Sequence, residues 1–376
     1  MRSSSGINIL LLLISVLVLL IGITYQPLPE NFSQPWKYRF LSYWAHRIDQ
    51  LGCFCEKLNL FTHVNLIRTL HYLSIGLYQQ RDPECHLKVY DRMIGNVKVR
   101  IYEPEEMISY EEKTTMIYFH GGGFALGSIE TYDQATYLLA NLTRIKTVAV
   151  EYRLAPEHRF PSGLDDCLLS NNFIGHLLIQ DKYQPYLLCL LYPSLQFLDF
   201  TLPSYRTYLK QNILGVLNED NLMLMISLLT GKKTTITKDI LMNSHVTAED
   251  QKNLYPFMNP TKYLSIPHEM NDTRERNENL VKDLKYLILP SMSPLLVSDD
   301  QLSQLPQILL FTTEYDILRD EGFIFASRLR TLNKTVYHHH FHNAFHGAHV
   351  FLYGPLRFEI AHEMIQHTAK ILQNYL

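Results

Sequence analysis

Three short segments carry residues able to perform acyl-transfer chemistry, and a fourth reads as structural. His120-Gly121-Gly122-Gly123-Phe124 follows an apolar run at residues 116–119. Three successive glycines let the backbone approach a ligand closely and present N–H groups to it. Donors so placed stabilise a developing oxyanion, typically by about 3 kcal/mol each. A phosphate loop is the competing use. A Walker A motif ends in G-K-[ST], and Gly127-Ser128-Ile129 stands here instead. The segment therefore reads as the oxyanion loop of an ester hydrolase, with a tight turn as the plain structural alternative.

Glu314-Tyr315-Asp316-Ile317-Leu318-Arg319-Asp320-Glu321-Gly322 follows a second apolar run, at 308–311. An acid just past the C-terminal end of a parallel strand is where such folds place functional groups. Asp316 is the candidate to orient a histidine, and Asp320 to cap the next helix; both acids could equally be caps. His346, in Asn343-Ala344-Phe345-His346-Gly347-Ala348-His349, is the candidate general base. The chain has 17 histidines, so a loop histidine alone is weak evidence. In a strand His338, His340 and His342 would face one way, but no carboxylate or cysteine is placed to complete a metal site, and no metal or other cofactor is expected. The fourth segment, Glu151-Tyr152-Arg153-Leu154-Ala155-Pro156-Glu157-His158-Arg159-Phe160-Pro161, has the chemistry of a stiffened, charge-tied turn.

These groups need a frame. Apolar or alternating runs at 97–102, 116–119, 147–152, 186–192, 308–311 and 335–341 predict strands, the second and third of them buried. Helical patterns lie at 131–141, 321–331 and 355–375. Alternation of the two predicts an α/β fold with a mostly parallel sheet covered on both faces. Residues 30–85 are helical and aromatic-rich. Residues 200–290 mix an apolar helical stretch at 222–229 with a polar one at 271–285. Both segments are too long for simple loops and read as a lid over one end of the sheet.

Composition sets outer limits. The 376 residues are 47% hydrophobic and 19% charged, enough for a large core and too apolar for general disorder. Lys+Arg 34 against Asp+Glu 37 gives −3, without the basic excess that nucleic acid binding requires. Five cysteines, an odd number, exclude a small disulfide scaffold. Residues 6–23 hold no charge, and 18 residues at about 1.5 Å each just cross a ~30 Å hydrocarbon core. No small-x-small cleavage site follows, which favours an uncleaved signal anchor over a cleaved signal. Arg2 on one side and Lys37, Arg39 and Arg47 on the other do not favour a lumenal body. Sequons at Asn31, Asn141, Asn271 and Asn333 do, with Asn31 very near the bilayer; Asn141, Asn271 and Asn333 are the expected glycosylation sites.

Taken in order, H-G-G-G-F, E-Y-R-L-A-P-E-H-R-F-P, E-Y-D-I-L-R-D-E-G and F-H-G-A resemble the arylacetamide deacetylase-like family, in the hormone-sensitive-lipase-like branch of the α/β-hydrolases. Pro193-Ser194-Leu195-Gln196 and Ser293-Pro294-Leu295-Leu296 also resemble family segments. The resemblance implies a membrane-anchored esterase, amidase or lipase of the endoplasmic reticulum lumen, acting on a small acyl or aryl ester, an amide or a lipid. It assigns Asp316 as triad acid, His346 as triad base, and Gly121, Gly122 and Gly123, beside His120, to the oxyanion loop. The chain then divides into an anchor (1–25), an N-terminal helical cap segment (26–95), a first core part (96–200), a lid insertion (201–290) and a second core part (291–376).

The nucleophile is the exception. The family places it in a G-D-S-A-G-G elbow after the F-P segment, yet none of the 16 glycines is followed two positions later by serine. Residues 163–185 are too few for the expected helix, strand and start of a second helix, which need on the order of 35–45. Ser128, Ser162, Ser170 and Ser194 lack the strand–turn–helix setting that exposes a nucleophile. A triad's acid and base without a serine have nothing to activate. The expectation is a fold with its central elbow strand deleted, in an inactive product of a skipped coding segment or a pseudoenzyme. The rival is a membrane-anchored acyl- or lipid-binding protein; a chain that does not fold stably is the third possibility.

Overall fold

The structure, a computed structural model, describes residues 22, 27–81, 87–105, 114–178, 185–211, 217–232, 234–268 and 276–375. The apolar run 6–23 lies outside them except for Gly22, as do Asn271 and Cys85. Among the described residues no helix is long and apolar enough to cross a membrane.

Among the described residues seven strands form two sheets. In the first, β1 (Leu87–Ile94) and β2 (Val97–Pro104) make an antiparallel hairpin, with Gly95 at φ 57° in its turn. β2 pairs antiparallel with β4 (Lys146–Glu151), and β4 pairs parallel with β3 (Thr115–Phe119). β1 falls in a stretch read as helical cap. Lys88, Asp91 and Arg92 break its apolar pattern, because it is an outer strand with most of its length in solvent. The second sheet is parallel throughout, in the order β5 (Leu187–Leu191), β6 (Gln307–Tyr315), β7 (Val336–Phe345). β6 and β7 outrun the apolar segments that signalled them, since buried Thr312 and Thr313 and a histidine-rich stretch continue the ladder.

The order β1-β2-β4-β3 stops at β3, and β5-β6-β7 begins anew. The short apolar run of β3 predicts a buried strand, yet its residues are only half-buried and Phe119 is 40% exposed. β5 is half-buried along its whole length, whereas β4 is buried through its centre. β3 and β5 each pair on one side only among the described residues, so their outer edges have no covering ladder.

Helices hold the halves together. α1 (Pro35–Lys57), α2 (His63–His71), α3 (Ile129–Thr143) and α4 (Ser162–Leu178) precede β5. A capping box between Ser128 and Thr131 starts α3. Six short helices follow: α5 (Pro203–Gln211), α6 (Glu219–Thr230), α7 (Thr234–Leu241), α8 (Ala248–Leu254), α9 (Pro260–Leu264) and α10 (Glu278–Leu284). α11 (Asp299–Ser303) and α12 (Arg319–Thr331) flank β6, and α13 (Glu359–Asn374) ends the fold. α13 starts four residues later than its apolar period suggests, because residues after Gly354 (φ 80°) turn before Phe358 caps it. It packs on α3 across the divide, and Gln373 Nε2 donates to Leu142 O at 2.7 Å. The large apolar core lies around the second sheet, with Met116 and Tyr118 of β3 at its edge, and two smaller clusters pack on the first sheet.

Candidate active site

β6 delivers Asp316 to the rim of the second sheet, and β7 delivers His346. Asp316 is fully buried. Its Oδ1 accepts the Leu318 N–H (2.9 Å) and its Oδ2 accepts His346 Nδ1–H (2.9 Å) and, more weakly, Thr313 Oγ1–H (3.3 Å). One carboxylate thus orients the histidine and ties down the start of α12, so the two expected uses of this acid coincide. Asp320 does not cap α12. Its Oδ2 accepts Ser204 N–H from the lid side (2.7 Å), while Leu318 occupies the N-cap position.

Beyond the ring of His346 stands Tyr192, immediately after β5. The ring centroids are 4.7 Å apart. Tyr192 has φ 36°, an uncommon and strained setting for an aromatic residue. Its hydroxyl bonds to Nδ1 of buried His349, and His349 Nε2 lies 3.4 Å from Tyr118 Oη on β3. Burial lowers His349 to about 3, which keeps it neutral in this wall. No periodicity or motif singled out Tyr192, because its role depends on the neighbour that β5 lacks.

The glycine loop, the expected oxyanion loop, lies on the other half of the fold. Gly122 (φ 125°) and Gly123 (φ 59°) take conformations that side chains disfavour. A Cβ on Gly122 would sit 2.1 Å from Leu126 O, and one on Gly123 would strike Met225 Sδ of α6. Gly122 O accepts from the N–H of Ala125 and Leu126, which closes the loop (3.1 and 2.8 Å). No turn or loop hydrogen bond among the described residues uses the N–H of Gly121, Gly122 or Gly123. His120 supports the loop from below: its ring stacks on Tyr152 (4.3 Å), whose hydroxyl donates to His120 O (2.6 Å). Burial lowers His120 to about 4, so it is a neutral structural group. Tyr132 joins the halves, with its ring 5.5 Å from that of His120 and 5.6 Å from that of His349.

The Glu151–Pro161 segment is tied down on three sides. Glu151 accepts Ile129 N–H (2.6 Å), Arg153 pairs with Asp166, and Glu157 pairs with Arg68 of α2. Arg68 also donates to Ala125 O (2.9 Å) and Ala155 O (2.7 Å), so one guanidinium fastens the cap helix to the oxyanion loop. Ala155-Pro156 and Phe160-Pro161 are cis. Sequence reasoning missed Arg68; its charge in an aromatic-rich helix was the available signal.

Ser128 caps α3, Ser162 begins α4, and Ser170 is fully buried in α4. Among the described residues the ring of His346 has one hydrogen-bond partner, Asp316. The histidine run needs a correction. A carboxylate does stand beside it, as Glu314 Oε2 accepts from His340 Nε2 at 2.8 Å and His342 lies close. Glu314 also accepts from Tyr208 and Arg319, and the His340 bond foremost holds its carboxyl down at about 2. Both of its oxygens therefore have partners within the protein.

A family model described as the alpha/beta hydrolase fold matches residues 116–176 and 221–350. The two matched blocks hold the glycine loop, Asp316 and His346, and leave 177–220 unmatched. This chain belongs to the α/β-hydrolase family. Within it the resemblance to arylacetamide deacetylases holds over nearly the whole chain. Human arylacetamide deacetylase-like 2 is 29% identical over 90% of this chain and 92% of its own length. Mouse arylacetamide deacetylase is 30% identical over 89% and 92%. Rat neutral cholesterol ester hydrolase 1 is 26% identical over 96% of each; that alignment, at 407 positions, is longer than this chain. Among solved structures, a hyperthermophilic esterase from Pyrobaculum calidifontis superposes with a TM-score of 0.57 at 22% identity, covering 86% of this chain and 97% of its own. It shares the fold.

Proposed function

We propose that this protein descends from membrane-anchored carboxylic-ester hydrolases and that the present chain is catalytically silent. The carrying observation is the ring of His346, which packs beside that of Tyr192 and has Asp316 as its one hydrogen-bond partner among the described residues, with no hydroxyl or thiol bonded to it. In the working cycle of such a fold, His346 would take the proton from a serine as it attacks the acyl carbon. Asp316 would hold the imidazolium, and the N–H groups of the glycine loop would hold the oxyanion. Each of these groups has its scaffold here, and the attacking oxygen does not. The break between β3 and β5, the unmatched block 177–220, and an alignment longer than the chain all support the loss of an elbow strand with its serine.

The substrate class proposed for the intact lineage is an acyl or aryl ester, an amide or a lipid ester. The relatives' names and the apolar lid support it. Met225 of α6 lies against Gly123, and Phe160 stacks on Tyr286 (5.1 Å). Membrane attachment has a second support besides the run at 6–23. Trp36, Phe40, Trp44, Leu51 and Phe54 are exposed on α1, with exposed Leu58 at its C-cap. At 100° per residue they fall within a face about 80° wide. That is the pattern of a helix lying in a bilayer interface, with aromatic rings at headgroup level. Attachment to the endoplasmic reticulum with the body in the lumen is part of the same proposal.

The full-length chain, purified in detergent, tests the reading. A fluorophosphonate probe should not label it, and p-nitrophenyl butyrate hydrolysis should stay at the buffer rate. Stoichiometric labelling would overturn the proposal. Sequencing full-length transcripts across the codons for 163–186 then separates the two origins. Extra codons with G-x-S-x-G in the main transcript mean a working locus and a short isoform. Their absence from every transcript means a pseudoenzyme.

A further inference from the structure

The histidine run of β7 meets a carboxylate from the neighbouring strand. His338, His340 and His342 alternate along β7 and so share one face of the second sheet. Glu314 reaches that face from β6, where the ladder shifts register between Thr313 and Tyr315. An irregularity of this kind re-aims a side chain. Glu314 Oε2 lies 2.8 Å from His340 Nε2. One ligand atom each from Glu314, His340 and His342 lies within 4.8 Å of the others.

The two rings fit a shared centre. The imidazoles of His340 and His342 stand 4.6 Å apart between centroids, with their planes at 88°. Two imidazoles bound to one ion through nitrogen at about 2.1 Å have centroids roughly 4.5–5.3 Å apart for angles of about 90–109°. Neighbouring ligand atoms on such an ion are about 2.8–3.4 Å apart, which covers the contact between Glu314 Oε2 and His340 Nε2.

The ligands are also held from behind. His340 Nδ1 lies 2.9 Å from Thr312 Oγ1, and that hydroxyl lies 2.9 Å from His338 Nε2. When Nδ1–H donates to Thr312 and Thr312 Oγ1–H donates to His338, His340 Nε2 turns a free lone pair toward the carboxylate. Metal-ligating histidines are oriented in this way through their second ring nitrogen. Phe323 of α12 packs edge-on against both rings, with centroids 4.8 Å from His338 and 5.0 Å from His340. Glu314 Oε1 accepts from Tyr208 (2.7 Å) and Arg319 (2.5 Å), while Oε2 faces His340.

We propose that Glu314, His340 and His342 form a binding site for a divalent transition-metal ion of the zinc class. Two imidazoles and a carboxylate select a borderline ion, whereas magnesium and calcium prefer oxygen alone. The ion takes the place of the proton between His340 Nε2 and Glu314 Oε2. His342 is exposed, which gives the ion an entry path and leaves room for water to complete its shell. The Arg319 charge behind the carboxylate is itself shared with Asp320 (3.1 Å). Bound metal ties β6 to β7 just before these strands deliver Asp316 and His346.

Zinc added to the metal-stripped full-length chain, prepared in detergent without a histidine tag, tests this. The expected result is one saturable zinc, measured by competition with a chromophoric chelator. Its X-ray absorption should show imidazole nitrogen and oxygen, with no sulfur. His342→Ala, at an exposed position, should leave the metal-free melting temperature unchanged. It should weaken binding at least as much as loss of an outer partner does, roughly 10–100-fold. Thr312→Val retains the shape and removes the hydroxyl behind His340, and should itself weaken binding by roughly 10–100-fold. His339→Ala, on the other face of β7, should leave the affinity as it is. No saturable zinc, sulfur in the coordination shell, or unchanged affinity in His342→Ala would each overturn the proposal.

Discussion

His346 Nδ1 donates to the buried Asp316 Oδ2 at 2.9 Å, which joins the two residues proposed as triad base and acid. The pair survives because its parts have other duties. Asp316 also holds the Leu318 N–H, and the His346 N–H donates to Tyr315 O (3.2 Å), so β6, β7 and α12 depend on the same few residues. Under the proposed loss of a nucleophile, geometry with these structural duties would persist.

That persistence gives a first prediction. In the chain as it stands, His346→Gln should change neither fluorophosphonate labelling nor ester turnover, both expected at background. In a chimera that carries a relative's elbow segment in place of residues 163–186, turnover should appear. There His346→Gln should lower it by about 10⁴-fold. A chimera that folds, as judged by a cooperative thermal transition, yet stays unlabelled would count against the assignment of Asp316 and His346.

Arg68 supplies a second prediction. Its guanidinium donates to two carbonyls on separate turns and to Glu157, a set that a lysine ammonium cannot reach together. Arg68→Lys should destabilise the fold by about 1–3 kcal/mol, since a carbonyl of the oxyanion loop or the proline turn would lose its donor. Thermal denaturation measures the loss, and limited proteolysis should show earlier cleavage before residue 81. An unchanged melting temperature would mean that the cap is held by packing alone.

The sequons differ in a way that tests membrane topology. Asn333 is exposed at a turn after α12, and Thr335 is exposed with it. Asn141 lies half-buried inside α3, and Thr143 is buried with its hydroxyl donating to Leu139 O (2.8 Å). Translation with microsomes should therefore give an endoglycosidase-sensitive mass shift that Asn333→Gln reduces and Asn141→Gln leaves alone. No shift in any variant would argue against a lumenal body.

Much of the frame was legible in the sequence, for a physical reason. β3, β4, β5 and α3 are short apolar or periodic segments bounded by turn residues, and local pattern determines such elements. The glycine loop was legible because its conformations exclude other residues. β1 was not, because in an outer strand with three charges Ile94 alone is fully buried, which leaves a weak apolar pattern. Tyr192 and the approach of Glu314 to the histidine run were hidden for a different reason: each depends on elements meeting in space, and spacing along the chain does not show that. Residues 163–185 are fewer than an α/β unit of this kind needs, and among the described residues the two sheets are separate, which is consistent with the proposed loss of a strand.

Glu321 provides the last prediction. It is fully buried on α12, where it accepts the Leu195 N–H (2.7 Å), Gln196 Nε2–H (2.9 Å) and Tyr205 Oη–H (2.7 Å). Burial raises it to about 7 despite these three donors. An unfolded glutamate titrates near 4.3. Below that value the carboxyl is protonated in both states and has no effect on pH dependence. Between about 4.3 and 7 the unfolded chain ionises while the folded one does not, so stability falls as pH rises. Above 7 both are ionised and the penalty is complete, on the order of 3 kcal/mol. Glu321→Gln has a neutral side chain throughout. Relative to the parent it should therefore gain stability as pH rises from 4.5 to 7.5, by up to about 3 kcal/mol. Paired urea unfolding at several pH values measures the difference, in which the other titrating groups cancel. A difference that is flat with pH would mean that Glu321 is ionised in the folded protein down to the ordinary carboxylate range. Its three donors would then outweigh its burial.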